Sequence, residues 1–226
     1  MSSDTQLSLF DESSFNQKDL IPTDAKIPIP SGTYANLAEL AQHCNNCRRC
    51  GLGENRTHAV VGRGNLQAKI MIIGEAPGQS EDETGLPFVG KSGQLLEKIL
   101  ASVELSTEHD VYIGNINKCR PPENRVPTPE EMEACKPYLL EQIRLVDPKI
   151  ILLTGATAVK GIIGSKQGIT KIRGQWLEWE GRLCMPIFHP SYLLRNPARE
   201  KGSPKWWMWQ DIQAVKAKYD EIRGKD

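Results

Sequence analysis

The stretch Ile70–Leu96, IMIIGEAPGQSEDETGLPFVGKSGQLL, decides how the rest of the chain is read. Its first residues, Ile70-Met71-Ile72-Ile73, are uniformly apolar, the pattern of a strand buried on both faces of a parallel sheet. Gly74-Glu75-Ala76-Pro77-Gly78 then breaks regular structure with two glycines and a proline. Glu81, Asp82 and Glu83 follow, then Gly85-Leu86-Pro87-Phe88-Val89-Gly90. Helical spacing of apolar residues begins only at Leu95, Leu96, Ile99 and Leu100. The expectation is an irregular loop of about 20 residues at the carboxyl end of a buried strand, where open α/β sheets bind ligands. A plain solvated connection is the alternative. Neither the dinucleotide-binding pattern Gly-x-Gly-x-x-Gly nor the Gly-Lys-Ser/Thr of a phosphate-binding loop is present.

The 226 residues suit one domain with a substantial core. No apolar run is long enough to span a membrane. The first residues, MSSDTQLSLFDESS, lack the basic region and apolar core of a signal peptide, so a cytoplasmic location is expected. In that compartment the six cysteines read as metal ligands or free thiols rather than disulfides. The 28 basic and 28 acidic residues balance, which leaves nucleic-acid binding open, because a local basic face is sufficient for it.

Residues 1–33 are polar and proline-bearing and read as a flexible tail, with the folded domain spanning 34–226. A short helix is expected over Tyr34–His43 and a short strand near Ala59–Gly62. Buried strands are expected at Ile70–Gly74, Val111–Asn117, Ile150–Thr154 and Cys184–Phe188. Helices are expected at Ser92–Val103, from the capping pattern Thr128-Pro129-Glu130-Glu131 to Val146, after Gly155, and over Pro204–Ile222. Strands alternating with helices predict an α/β domain whose central, mainly parallel sheet is covered on both faces, a three-layer α/β/α arrangement. Glu75, Asn115 and His189 then fall at or near the carboxyl ends of three different strands, within reach of one crevice.

Cys44, Cys47 and Cys50 form overlapping C-x-x-C pairs, with Cys119 and Cys135 far downstream. Two close and two distant cysteines can supply four thiolates to structural zinc or to an iron–sulfur cluster, and spacing alone does not separate the two. Buried free thiols are the alternative, above all for Cys184 in its apolar strand.

Taken in order, several motifs resemble the iron–sulfur uracil-DNA glycosylases, the fourth family of that superfamily. They are Gly74-Glu75-Ala76-Pro77-Gly78, Gly85-Leu86-Pro87-Phe88-Val89-Gly90, Asn115 with Lys118-Cys119-Arg120-Pro121-Pro122-x-Asn124-Arg125, and His189-Pro190-Ser191-Tyr192-Leu193-Leu194-Arg195. The likeness covers about Cys47 to Ile212, and only the ordered set is specific. It implies the superfamily's three-layer fold and a monomeric bacterial repair enzyme that flips uracil out of DNA and hydrolyses its glycosidic bond. It also implies a [4Fe-4S] cluster on Cys47, Cys50, Cys119 and Cys135, with Cys44 as an extra thiol.

The resemblance assigns roles that the residue chemistry can carry. Phe88 would stack on the extruded base, and the Asn115 amide would pair with uracil O4 and N3–H, a pattern cytosine reverses. His189 would donate to uracil O2 as charge develops there. The backbone at Ala76 and Pro77 would line the pocket with Glu75. Glu81 is expected to hold the attacking water, with help from Glu75 and Asn124. Leu193 and Leu194 have the character of a wedge entering the base stack, and Arg195, Arg199 and Lys201 that of phosphate contacts.

Two other readings are a glycosylase for a different deaminated base and a non-catalytic iron–sulfur DNA-binding domain. The family branch that becomes covalently trapped on its site carries an extra basic loop with a histidine, which has no counterpart here. One apolar burst in the tail, Gln6-Leu7-Ser8-Leu9-Phe10, lies outside the family likeness. It resembles the short motif by which bacterial replication and repair proteins dock on the sliding clamp, with Gln6, Leu7, Leu9 and Phe10 as contacts.

Overall fold

A computed structural model describes residues 25–224. The chain enters through α1 (Leu37–Asn46) and the short α2 (Leu52–Asn55), then passes into the strands β1 (Arg63–Gly64) and β2 (Ile70–Gly74). Two helices, α3 (Gln79–Thr84) and α4 (Lys91–Ala101), lead to β3 (Val111–Asn115) and the long α5 (Pro129–Val146). β4 (Ile150–Thr154), α6 (Ala156–Ile163) and α7 (Ile169–Ile172) come next. The hairpin β5 (Leu177–Trp179) and β6 (Arg182–Ile187) and the helices α8 (Pro190–Arg195) and α9 (Pro204–Arg223) complete the order.

The six strands form one sheet in the order β1-β3-β2-β4-β6-β5. β3, β2, β4 and β6 run parallel, in a register that sets Gly74 beside Asn115 and Thr154 beside Ile187. Every residue of β2, β3 and β4 is buried, as uniformly apolar sequences require in a sheet covered on both faces. The sheet is mixed because β1 and β5 pair antiparallel at its two edges. β1 is two residues long and falls just beyond the strand expected at Ala59–Gly62.

One face of the sheet packs Ile70, Ile72, Val111, Ile113 and Leu152 against α4, α8 and α9 through Leu96, Leu100, Leu193, Met208, Ile212 and Val215. The other packs Met71, Ile73, Ile151 and Leu153 against α5 and α6 through Leu139, Ile143, Ala158 and Val159. A third cluster sets α1 on α5 with Ile29, Tyr34, Leu40, Cys44, Cys135 and Tyr138. The fold therefore takes in chain upstream of residue 34: Ile29 is buried, and Gly32 N–H donates to Glu141 Oε1 at 2.9 Å. The clamp-like residues Gln6, Leu7, Leu9 and Phe10 lie outside the described residues.

The loop after β2 corrects one expectation. Instead of running irregularly, it folds a six-residue helix, α3, across the acidic run. Asp82 within it is buried and accepts the Thr57 N–H at 3.0 Å, so part of that run is internal structure rather than a solvated face.

Candidate active site

Three strands deliver the site. β2 ends in Gly74-Glu75, β3 ends in Asn115, and Phe188-His189 follows β6. A crevice of about 400 Å³ opens over these carboxyl ends. Its lining includes Glu75, Ala76, Pro77, Glu81, Phe88, Asn115, Asn124 and His189, which are all of the residues expected to bind base or act on it. Chain order scatters them over more than a hundred residues; the parallel sheet gathers them.

Phe88 is held by its backbone. It adopts φ 55, a left-handed conformation that costs strain in a bulky residue, and Arg63 fastens the carbonyls of Pro87 and Phe88 at 2.7 and 3.1 Å. Gly93 makes room on α4, since a Cβ there would lie 1.7 Å from the Phe88 oxygen. The ring sits 5.7 Å from the His189 ring, centroid to centroid. Asn115 is nearly fully buried, and its Oδ1 has no hydrogen-bond partner among the described residues. Leaving such an acceptor unmade in the interior costs about 1–3 kcal/mol. Asn115 also lines the crevice, so the unmade acceptor stands beside the space a ligand would fill.

His189 caps the N-terminus of α8. Its Nδ1 accepts the Ser191 N–H at 3.2 Å, and Ser191 Oγ lies 2.8 Å from the same nitrogen. With Nδ1 an acceptor, the neutral ring carries its proton on Nε2. Burial, reinforced by the Arg195 charge and opposed by Glu81, lowers its pKa to about 4. At neutral pH the residue is an uncharged donor.

The carboxylates divide their work. Glu81 Oε1 accepts the N–H groups of Val89 and Gly90 at 2.9 and 2.8 Å, and Oε2 accepts that of Gly78 at 3.1 Å. These bonds brace the loop that presents Phe88. Glu75 Oε2 accepts the Thr157 hydroxyl from the start of α6, a partner that sequence reasoning missed because it lies 82 positions away. Asn124, itself at φ 56, is tethered by Arg120 through its Oδ1 at 2.8 Å. Arg125, Ser92 and Ser191 also line the crevice; Arg125 and Ser191 stand within the quoted motifs, and Ser92 does not.

The residues expected to touch DNA separate. Leu193 is 1% exposed and packs in the core, so it cannot enter a base stack. A helix turns about 100° per residue, which points Leu193 inward and leaves its neighbour Leu194 outside, 43% exposed. Arg195, Arg199 and Lys201 are exposed, and Arg195 also lines the crevice. Trp207 and Trp209 on α9 are 39% and 41% exposed, and the Arg173 guanidinium lies 4.7 Å from the Trp207 ring.

A second, buried pocket is lined by Cys44, Cys47, Cys50, Cys119 and Cys135. The donor set suits a cluster held as thiolates, because several sulfurs accept hydrogen bonds. Cys119 Sγ takes one from Arg56 at 3.3 Å, Cys135 Sγ from the Lys118 N–H at 3.3 Å, and Cys47 Sγ from the Arg49 N–H at 3.5 Å. No three potential ligands among the described residues stand close enough to share a single ion.

The match to known proteins follows this geometry. The family model described as the Uracil DNA glycosylase superfamily matches residues 61–213. A type-4 uracil-DNA glycosylase of Thermotoga maritima is 48% identical over 171 residues, covering 74% of this chain and 88% of that protein. Type-4 enzymes of Sulfurisphaera tokodaii and Saccharolobus solfataricus are 42% and 40% identical, each over 74% of this chain and 79% and 81% of their own lengths. No helix among the described residues is long and apolar enough to cross a membrane. By the family model and by these relatives, the chain belongs to the uracil DNA glycosylase superfamily, beside its type-4 enzymes.

Proposed function

We propose that this chain excises uracil from DNA as a base-excision-repair glycosylase, hydrolysing the bond between sugar C1′ and uracil N1 and leaving an abasic site. The observation that carries the reading is the unpartnered Asn115 Oδ1, set in one crevice with Phe88, Glu75 and His189. Uracil offers N3–H to that oxygen and O4 to the amide N–H. Cytosine offers an acceptor and a donor in the reverse order and would leave both buried groups unpaired.

The extruded base stacks on Phe88, at an unstacking cost of a few kcal/mol. As the glycosidic bond breaks, its electron pair goes to uracil, and His189 Nε2–H donates to O2, where negative charge collects. A neutral donor holds that anion without giving up its proton. Glu75, steadied by Thr157, faces the oxocarbenium sugar and takes the proton of the water that adds at C1′, and the Asn124 amide orients that water. Glu81 acts by holding the loop, a different part from the water-binding one expected from sequence.

Cys47, Cys50, Cys119 and Cys135 hold a [4Fe-4S] cluster that ties the N-terminal segment to the loop bearing Asn124; Cys44 stays outside the ligand set. Leu194 fills the gap left by the flipped nucleotide, while Arg195, Arg199 and Lys201 meet phosphates. The protein acts as a monomer in the bacterial cytoplasm. Gln6, Leu7, Leu9 and Phe10 recruit it to the sliding clamp, where misincorporated uracil first appears.

The test is cleavage of an oligonucleotide carrying one uracil, with hypoxanthine, xanthine and cytosine oligonucleotides as controls. Release of uracil alone supports the reading. Cleavage only at another deaminated base, or binding without cleavage, contradicts it.

A further inference from the structure

Lys118 takes no part in the chemistry above, yet it is among the largest fully buried side chains of the protein, at 1% exposure. Lysine is almost never buried without partners, because taking an ammonium out of water is costly. The two ends of this residue are held by different partners. Its backbone N–H donates to Cys135 Sγ at 3.3 Å, and its Nζ donates to the carbonyl oxygen of Asn115 at 2.6 Å. Asn115, whose carbonyl is gripped in this way, is also the residue whose Oδ1 stands unpartnered in the crevice.

We propose that Lys118 is a positioning residue that ties the base-reading amide of Asn115 to the thiol pocket, so that loading of that pocket fixes the geometry in which uracil is read. The inference rests on the uracil-excision reading. Its physical content is a lever. Holding the Asn115 carbonyl fixes ψ at that residue, and with it the course on which the chain leaves β3 toward Lys118 and Cys119, so the backbone unit that carries the amide is pinned from behind. The Cys135 bond holds the backbone end of the lever in place, so a sulfur fixed by a bound metal would fix that end as well. Base recognition and metal loading, which share no side chain in the lining of the two pockets, are joined through this residue.

The experiment uses the iron-loaded full chain and its Lys118→Met and Lys118→Arg variants. The Met variant keeps the stem and removes the cation. Expected for Met are full iron content, affinity for an abasic-site oligonucleotide within about twofold of wild type, and a kcat for uracil release lowered about tenfold or more, with KM little changed. The cluster's reduction potential should also move downward, because a nearby positive charge favours the reduced form. The Arg variant restores the cation and should recover part of the rate. An iron-loaded Met variant that releases uracil at the wild-type rate overturns the proposal. Wild type that releases no uracil overturns the functional reading instead.

Should both variants fail to fold, hydrogen exchange on wild type before and after iron chelation decides. Faster exchange over residues 115–118 with β4 still protected supports the lever. Unchanged exchange there, or equal acceleration in β4, overturns it.

Discussion

Gly74 is where the account is most exposed to a single methyl group. A Cβ at this position would lie 2.3 Å from Asn115 Oδ1 and 2.8 Å from Cε2 and Cζ of Phe88. Ordinary contact begins near 3.4 Å, so Gly74→Ala pushes the acceptor about 1 Å off its line, or the ring by a little over half that. Inserting a methyl into a packed interior costs about 1–3 kcal/mol, which leaves a domain of ordinary stability folded. A 1 Å displacement at a reacting centre costs about 10²-fold in rate. Gly74→Ala is therefore expected to stay folded and iron-loaded while losing about 10²-fold in single-turnover uracil release, with affinity for undamaged DNA unchanged. The assay is a rapid-quench time course with enzyme in excess, beside thermal unfolding of the same sample. A folded variant within twofold of wild type would mean that Phe88 and Asn115 do not form the base pocket.

The remaining expectations concern the histidine, the metal and the tail. His189→Ala should slow uracil release by about 10²–10³ with little change in DNA affinity, measured under the same single-turnover conditions. With its pKa lowered to about 4, His189 should give wild type no inflection near 6.5 in its pH–rate profile. The unfolded chain binds this proton first as pH falls, so stability should decline between 6.5 and 4, by about 3 kcal/mol from this group, as checked by denaturant titration of wild type against His189→Ala. Purified protein should be brown with about four irons per chain. Cys47→Ser and Cys119→Ser should lose iron and folded protein together and Cys44→Ser neither; stoichiometric zinc without iron by elemental analysis would contradict the cluster. Leu9→Ala with Phe10→Ala should abolish binding to a bacterial sliding clamp in surface plasmon resonance and leave cleavage of short oligonucleotides unchanged.

How much of this was legible in the sequence depended on whether the signal was local. Ile70-Met71-Ile72-Ile73 and Ile150-Ile151-Leu152-Leu153 announce buried parallel strands because no face of them is polar, and all prove fully buried. The edge strands β1 and β5, two and three residues long, are too short to show a period. The helix α3 was hidden because its sequence, Gln-Ser-Glu-Asp-Glu-Thr, has no apolar stripe, and Asp82 alone turns inward. Glu75, Asn115 and His189, read at or near the carboxyl ends of three different strands, do line one crevice. What those motifs could not show is where the other end of each side chain goes. Glu81 spends its oxygens on backbone amides, and Glu75 finds Thr157 on a helix across the sheet. Leu193 and Leu194 are equivalent as letters, and only the phase of α8 against the core separates the buried one from the exposed one.

The central claim, that the Asn115 amide reads uracil in this crevice, is tested most directly by the single-turnover rate of uracil release from Asn115→Asp beside wild type, with folding and iron content matched. A carboxylate keeps the shape but loses the donor to O4 and sets negative charge against it, and an unmade bond of this kind is worth about 10² or more in rate. Rapid release by wild type and a loss of at least that size in the variant are expected. Equal rates would contradict it.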